Sequence, residues 1–298
     1  MDIGVEIYGP YMDISGIAQT ARELSIALYD IGIPVRGLNL PGWSYINAEL
    51  DPITSKKIQL IMSSALPEKS AFIHFMPPSK MTQVKDGAIA NVCSTVYETD
   101  RIPFVWQEIM KQSGKISEVW VPTEFNKQSF IKGGIPENML HVIPYGVNEE
   151  VYSPDVQPLA IKDKPGFTFL SVMDLKECKG FDVLLDAYMK EFSDGDDCVL
   201  ILKAYSGGVE EPYKDRVRKV IKMFREKNHS TAKVMFWGDN ISSQKMVALY
   251  RTADCFVLPT RGEGWSMGTI QSMACGVPTI MTDCSGHRTY MNETNGLL

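Results

Sequence analysis

The sequence predicts an α/β protein built from two doubly wound halves, and three observations carry that prediction. Short apolar runs alternate with helical stripes along the chain, the pattern of strand–helix–strand crossovers in parallel sheets. The alternation is interrupted between Asn148 and Gly166, where Pro154, Pro158 and Pro165 stand among acidic residues, as in an interdomain linker. A chain of 298 residues also suffices for two cores, since single cores stop growing near ~250–300 residues. The expected boundaries are 1–150 for a first domain, 151–165 for the linker and 166–298 for a second domain.

In the first half, Ile3–Tyr8 reads as a strand followed by a loop to Ser15 and Gly16. Ile17, Leu24, Ile26, Ala27 and Ile31 then predict a helix face ended by Gly32, and Val35–Leu38 a second strand. This βαβ opening lacks Gly-x-Gly-x-x-Gly, so a dinucleotide fingerprint is not supported. Residues 41–51 read as irregular, with Trp43 and Tyr45 marking an acceptor-side loop or a cover for the core. Ala71–Phe75 and Ala88–Tyr97 are the next buried strands, the first bringing His74 to a strand end. Phe104–Met110 reads as a helix, Val119–Val121 as a strand, Glu124–Ile131 as a helix closed by Gly133 and Gly134, and Leu140–Ile143 as a last strand.

The second half restarts at the apolar strand Phe167–Met173. Lys179 and Gly180 then open a helix whose stripe is Phe181, Leu184, Leu185 and Tyr188. Strands are expected at Val199–Lys203 and Val234–Trp237, with the charged amphipathic helix Pro212–Lys227 between them and the helix Ser242–Tyr250 after them. The densest signal lies at residues 254–282. There the strand Cys255–Leu258 is closed by Pro259, Gly262, Gly264 and Gly268 follow, and a helical run through Met267, Ile270, Met273 and Ala274 stops at Gly276. A strand Val277–Met281 completes the unit. A glycine loop opening a helix presents free N–H groups where the helix carries roughly half a positive elementary charge, a setting that suits phosphate. Glu263 before the helix and Gln271 within it supply acceptors for the hydroxyl groups of something whose phosphates rest on the loop.

Composition bounds the rest. Hydrophobic content of 44% and charged content of 22% are ordinary for a globular protein. A net charge of −6 argues against a general nucleic-acid binder. The six cysteines are scattered without a Cys-x-x-Cys pair, and no secretory signal or apolar span of roughly 20 residues is evident, so a reduced, cytoplasmic setting is expected. The histidines show no metal-ligand spacing, and no basic amphipathic helix suggests membrane docking.

The stretch from Pro259 to Trp265, with Met273–Pro278 behind it, resembles the donor-site signature of the retaining glycosyltransferases of the GT-B fold, family 4 type. Glu263 matches the first Glu of that signature, and Gln271 stands at the second. Trp120–Asn126, Ile143–Asn148 and Lys179-Gly180 resemble the family too, and the likeness runs weakly before Ser94 and strongly from Trp120. It implies two Rossmann-like domains facing a cleft, the first on the acceptor side and the second holding a nucleotide-sugar donor.

In that picture Glu263 approaches the donor sugar and Gln271 a ribose hydroxyl, while Gly264, Trp265, Ser266, Met267 and Gly268 form the phosphate loop. Lys179 neutralises the diphosphate, with Lys176 the nearby cation because Met173 stands where many members have an Arg. Gly16 faces the donor phosphates, and Asn240 and Ile241 the nucleobase. The family's mid-domain His is missing from Ser94–Asp100. Glu98 or Tyr97 takes its place, with His74 a second candidate.

The implied activity is hexosyl transfer, with retention and without a metal or cofactor, to a hydroxyl of a saccharide or lipid-linked acceptor. Two other readings compete: a non-catalytic sugar-nucleotide-binding or scaffolding protein, and an epimerase of related architecture. Family members continue past a segment like Glu293–Leu298, so a C-terminal crossover helix is expected to be missing from this chain.

Overall fold

A computed structural model describes residues 3–40, 47–81, 84–162, 164–205 and 210–298, which leaves Trp43 and Tyr45 outside the described residues. The chain divides into two compact units, Met1–Gly146 and Val147–Leu298.

The first unit contains β1 (Ile3–Gly9), α1 (Gly16–Asp30), β2 (Val35–Asn39), α2 (Pro52–Ser63), β3 (Lys69–Phe75), β4 (Asn91–Ser94), α3 (Phe104–Ser113), β5 (Glu118–Val121), α4 (Glu124–Lys132) and β6 (Leu140–Val142). Its strands form a six-stranded sheet in the order β2-β1-β3-β4-β5-β6, parallel throughout. Ile7, Ile73, Phe75 and Val92 fill one core cluster with Ile58 and Ile61 of α2. Cys93, Val119 and Val121 fill another with Trp106 and Met110 of α3 and Phe130 of α4.

Two helices depart from the sequence pattern. In α1 the fully buried residues are Ala18, Thr20, Ala21, Arg22 and Ser25; of the expected face, Ile17, Leu24 and Ile26 are half-buried against the core and Ile31 is exposed. A Cβ built on Gly9 would lie 3.5 Å from the Ala21 Cβ, so the helix rides close on β1 and small residues fit where larger ones do not. The helix α2 was not expected at all. Its start is well marked, because Asp51 accepts the N–H groups of Ile53 and Thr54, both at 3.0 Å, and Pro52 occupies the first turn. Only Ile58 and Ile61 are buried in it, too few apolar positions for a visible stripe.

The second unit contains β7 (Phe167–Asp174), α5 (Phe181–Glu191), β8 (Cys198–Tyr205), α6 (Glu210–Lys227), β9 (Val234–Trp237), α7 (Ser243–Thr252), β10 (Cys255–Leu258), α8 (Met267–Ala274) and β11 (Thr279–Met281). The five strands run parallel in the order β11-β10-β7-β8-β9. A single cluster centred on Leu170, Leu200, Leu202, Phe256 and Leu258 forms the core. Residues 151–165 lie in this unit. Tyr152 is buried in its core, and the Leu159 N–H donates to the Thr252 hydroxyl at 2.8 Å.

The strand orders fix where a ligand would sit. The chain leaves β7 for β8 and β9 on one side, then returns to place β10 on the other. Loops after β7 and β10 therefore leave adjacent strand ends, and such a topological switch point is where open α/β sheets hold ligands. In the first unit the corresponding point lies between β1 and β3.

Candidate functional site

At the switch point of the second unit, the loop after β7 packs directly on the loop after β10. The first loop ends in a 3₁₀ turn, Glu177–Lys179, and Gly180, whose φ is +68°. A Cβ on Gly180 would stand 1.9 Å from the Pro259 carbonyl oxygen, so both backbone conformation and space require glycine there. The Thr260 hydroxyl and the Arg261 N–H both donate to the Cys178 carbonyl at 2.7 Å. Arg261 also reaches both carboxylate oxygens of Asp182 at 2.7 Å and the Glu177 carbonyl at 2.7 Å, a bidentate clasp.

This contact brings together the two side chains that sequence reasoning rated highest. Lys179 Nζ donates to Glu263 Oε1 at 2.6 Å. Glu263 is only 4% exposed, and its ammonium partner is more open, at 22% for the side chain. A carboxylate so far removed from water needs a paired charge. Glu263 is held by its backbone as well: its N–H donates to Ser285 Oγ at 2.9 Å, and its carbonyl accepts from the Gly286 N–H at 2.8 Å.

Beyond Glu263 the chain enters α8 through Ser266, which adopts a left-handed φ of 71°. Gly264, Trp265 and Ser266 are buried and Met267 and Gly268 half-buried. The Ser266 hydroxyl pairs with the Thr269 hydroxyl at 2.7 Å and does not cap the helix, so the helix end keeps its partial positive charge. Gln271 lies one turn deeper, 4% exposed, and its Oε1 accepts from the Tyr250 hydroxyl at 3.1 Å. The oxygen assigned to a ribose hydroxyl thus already has a protein donor.

The remaining expected positions spread around this centre. Lys176 is exposed and lies 2.9 Å from Asp174. Asn240 is exposed and Ile241 half-buried, on the loop after β9. Met173, at the place of the family's Arg, is buried in the core. In the first unit, Gly16 opens α1 behind the N-cap Ser15, at the end of the loop that Arg22 fixes by donating to the Tyr11 and Asp13 carbonyls at 2.6 and 2.8 Å. Glu98 is half-buried on the loop after β4. Tyr97 beside it packs on Trp106 at 4.7 Å between ring centres. His74 is fully buried between Tyr8 and Phe72, its ring nitrogens without a hydrogen-bond partner among the described residues. Burial pulls its imidazole down to about 4.

Several residues escaped the sequence reading. Lys203 is 4% exposed in β8, and burial lowers its ammonium to about 8 against the opposing pull of Asp239. Its signal was a lysine inside an apolar run. Ser285, Gly286 and Tyr290 grip the Glu263 loop from behind, and nothing in their spacing marks them. His287 is buried, with Nε2 2.7 Å from the Thr282 carbonyl. Among the described residues no group of three or more His, Cys, Asp or Glu could hold a metal ion. No described helix is long and apolar enough to cross a membrane.

Comparison with known proteins follows the same lines. Residues 164–298 match the family described as Glycosyl transferases group 1. The mannosylfructose-phosphate synthase of Agrobacterium fabrum is 29% identical over 157 residues, which is 50% of this chain and 34% of that protein. The chain thus spans about a third of the length of that curated relative. Among solved structures, the Anabaena protein HepE in complex with UDP-glucose aligns with a TM-score of 0.68 and 12% identity, over 99% of this chain and 85% of that one. Sucrose-phosphate synthase from Thermosynechococcus elongatus aligns with a TM-score of 0.67 and 16% identity, over the same shares. At these identities the structural likeness is one of fold, and the two parallel sheets are those of the GT-B architecture.

Proposed function

We infer, for a chain whose residues 164–298 match the glycosyl transferases group 1 family, that it moves a hexosyl group from a nucleoside-diphosphate sugar to an acceptor hydroxyl with retention of configuration. The observation that carries this reading is the Lys179–Glu263 pair at the switch point, beside the N-terminus of α8. It joins one cation to one buried carboxylate that stands four residues before the start of α8. A diphosphate suits the cation and the N–H groups, and a pyranose hydroxyl suits the carboxylate.

In this reading the donor exchanges the Lys179–Glu263 contact for two others. The ammonium turns to the diphosphate, where negative charge grows as the bond between the sugar C1 and the phosphate oxygen breaks. Glu263 accepts a hydrogen bond from the sugar. The acceptor oxygen bonds to C1 from the face the phosphate leaves, and its proton passes to the departing phosphate oxygen. No protein base is then required, so the role of Glu98 is confined to the acceptor side. The leaving charge is met by Lys179 and the α8 N–H groups, with no metal ion needed. The first unit, with Glu98, is the acceptor side of this proposal, Gly16 there being assigned to the donor phosphates, and a saccharide or lipid-linked alcohol is the acceptor class.

One observation favours the non-catalytic alternative: Gln271 is buried and its carbonyl oxygen already accepts from Tyr250. Incubation with UDP-, GDP- and ADP-sugars separates the readings. Transfer or donor hydrolysis is the expected result, and a thermal shift without turnover would establish a binder instead. Glu263→Ala should abolish transfer and leave nucleoside-diphosphate affinity within about threefold, because its partner is the sugar. Loss of both would contradict the role given to Glu263.

A further inference from the structure

The segment after β11 reaches back to the turn that opens α8, and one side chain there makes two contacts of special consequence. Tyr290 Oη lies 2.6 Å from the Trp265 carbonyl oxygen and 2.9 Å from the Ser266 carbonyl oxygen. Its ring packs on the Trp265 ring at 5.0 Å between centres. Asn295 Nδ2 donates to the Tyr290 carbonyl at 2.9 Å and anchors the residue from behind.

Both contacted carbonyls belong to trans peptides. In a trans peptide the C=O and N–H point in opposite directions across the plane. The Trp265 carbonyl shares its plane with the Ser266 N–H, and the Ser266 carbonyl shares its plane with the Met267 N–H. A phenol that draws both carbonyl oxygens to one point therefore aims both N–H groups away from itself, side by side. Among the described residues neither N–H has a protein acceptor. Successive N–H groups turned the same way through a left-handed residue form an anion-binding concavity, and Ser266, with φ 71°, is that residue.

Burial keeps the phenol protonated, raising it well above its ordinary value, so the hydroxyl retains the hydrogen it shares between the two carbonyls. Gly286 completes the support, since a Cβ there would stand 2.1 Å from the Gly264 carbonyl oxygen.

We propose that Tyr290 is a positioning residue for the diphosphate: its hydroxyl bridges two adjacent peptide carbonyls and so turns the Ser266 and Met267 N–H groups to the far side of their planes, where they serve the phosphate. This rests on the functional reading above and adds a residue that touches no substrate. Loss of the hydroxyl removes the tie on the Trp265–Ser266 plane and one of two on the Ser266–Met267 plane, whose carbonyl also accepts from the Ile270 N–H at 3.3 Å, and should weaken recognition of phosphate while sparing the nucleoside.

The test compares the full chain with Tyr290→Phe, which keeps the ring on Trp265. Calorimetric affinities are measured for inorganic pyrophosphate, for UDP, GDP and ADP, and for the matching nucleosides. The expected result is about a tenfold loss for pyrophosphate and for the preferred nucleoside diphosphate, with the nucleoside held within about twofold. Equal losses for nucleoside and diphosphate would mean general loosening and would overturn the proposal, as would an unchanged diphosphate affinity. A wild-type chain that binds neither pyrophosphate nor any nucleoside diphosphate would instead sink the functional reading itself.

Should Tyr290→Phe fail to fold, amide ¹⁵N shifts of the wild-type protein give an independent result. The Ser266 and Met267 amides should move most on pyrophosphate addition, and their indifference while pyrophosphate binds would overturn the assignment.

Discussion

Lys179 and Glu263 are 84 positions apart in sequence and 2.6 Å apart in space. Each has a different reason to need the other. Glu263 is nearly removed from water, and a buried carboxylate that loses its counter-ion costs roughly 3–5 kcal/mol. Lys179 is partly solvated, which discounts that figure. Lys179→Met should therefore destabilise the protein by about 1–3 kcal/mol in urea titrations. It should also weaken nucleoside-diphosphate binding more than Glu263→Ala does, since the ammonium is assigned to the phosphates and the carboxylate to the sugar. An equal effect of the two substitutions on nucleoside-diphosphate affinity would remove the distinction.

A second residue-level prediction concerns His74. Burial holds its folded-state value near 4, below the ordinary ~6.5 of an unfolded histidine. The unfolded chain thus takes up a proton first as pH falls. The stabilising contribution is complete above ~6.5 and is lost progressively as pH drops towards 4. Between pH 7.5 and pH 5 this amounts to about 2 kcal/mol. His74→Phe should flatten that part of the stability profile in urea titrations at the two pH values. An unchanged slope would show that His74 is not the group that titrates.

At the scale of elements, the second unit was legible where chain breaks and glycines speak. The strands Cys255–Leu258 and Val234–Trp237 and the stop at Gly276 were readable because apolar runs bounded by Pro or Gly admit few alternatives. Gly276 adopts φ +73°, as a residue closing a helix does. The helix faces were not so legible. In α8 the fully buried residues are Thr269, Gln271 and Ser272, while Met273 and Ala274 of the expected stripe are half-buried against the core, because a helix pressed closely on its sheet buries small and polar side chains most deeply. The same reason hid the small, fully buried residues of α1, whose expected Ile17, Leu24 and Ile26 do pack on the core, and α2 was missed because its apolar positions are split between exposed Ile53 and Leu60 and buried Ile58 and Ile61. In the candidate site, Glu263 and Lys179 were readable as types at a loop and a helix start. Ser285 and Tyr290 were not, since supporting hydroxyls follow no spacing rule.

The contact between the loops after β7 and β10 makes its own prediction. Gly180→Ala places a Cβ against the Pro259 carbonyl and forces a left-handed conformation on an alanine. A cost of roughly 2–4 kcal/mol is expected, read as a lowered urea midpoint with a larger proportional loss of nucleoside-diphosphate binding. A neutral Gly180→Ala would mean that the two loops do not depend on each other.

For the whole molecule, each unit has its own sheet and its own core. Apart from Gly16, the residues assigned to phosphate and sugar, among them Lys179, Glu263, Ser266 and Met267, belong to the unit that runs from Val147 to Leu298. The segment 147–298 expressed alone should therefore unfold cooperatively and bind a nucleoside diphosphate within about tenfold of the full chain. Transfer to an acceptor should be lost, because the acceptor side is assigned to the first unit. Tight binding by the segment 1–146 instead would reverse the assignment of the two halves.

The central claim, that the crevice between β7 and β10 is where an activated sugar docks, is tested most directly by a crystal structure of the full chain with its preferred nucleoside diphosphate. The diphosphate is expected against the Ser266 and Met267 N–H groups, with the Lys179 ammonium turned from Glu263 to a phosphate oxygen. A diphosphate bound elsewhere, with the Lys179–Glu263 pair still closed at 2.6 Å, would contradict it.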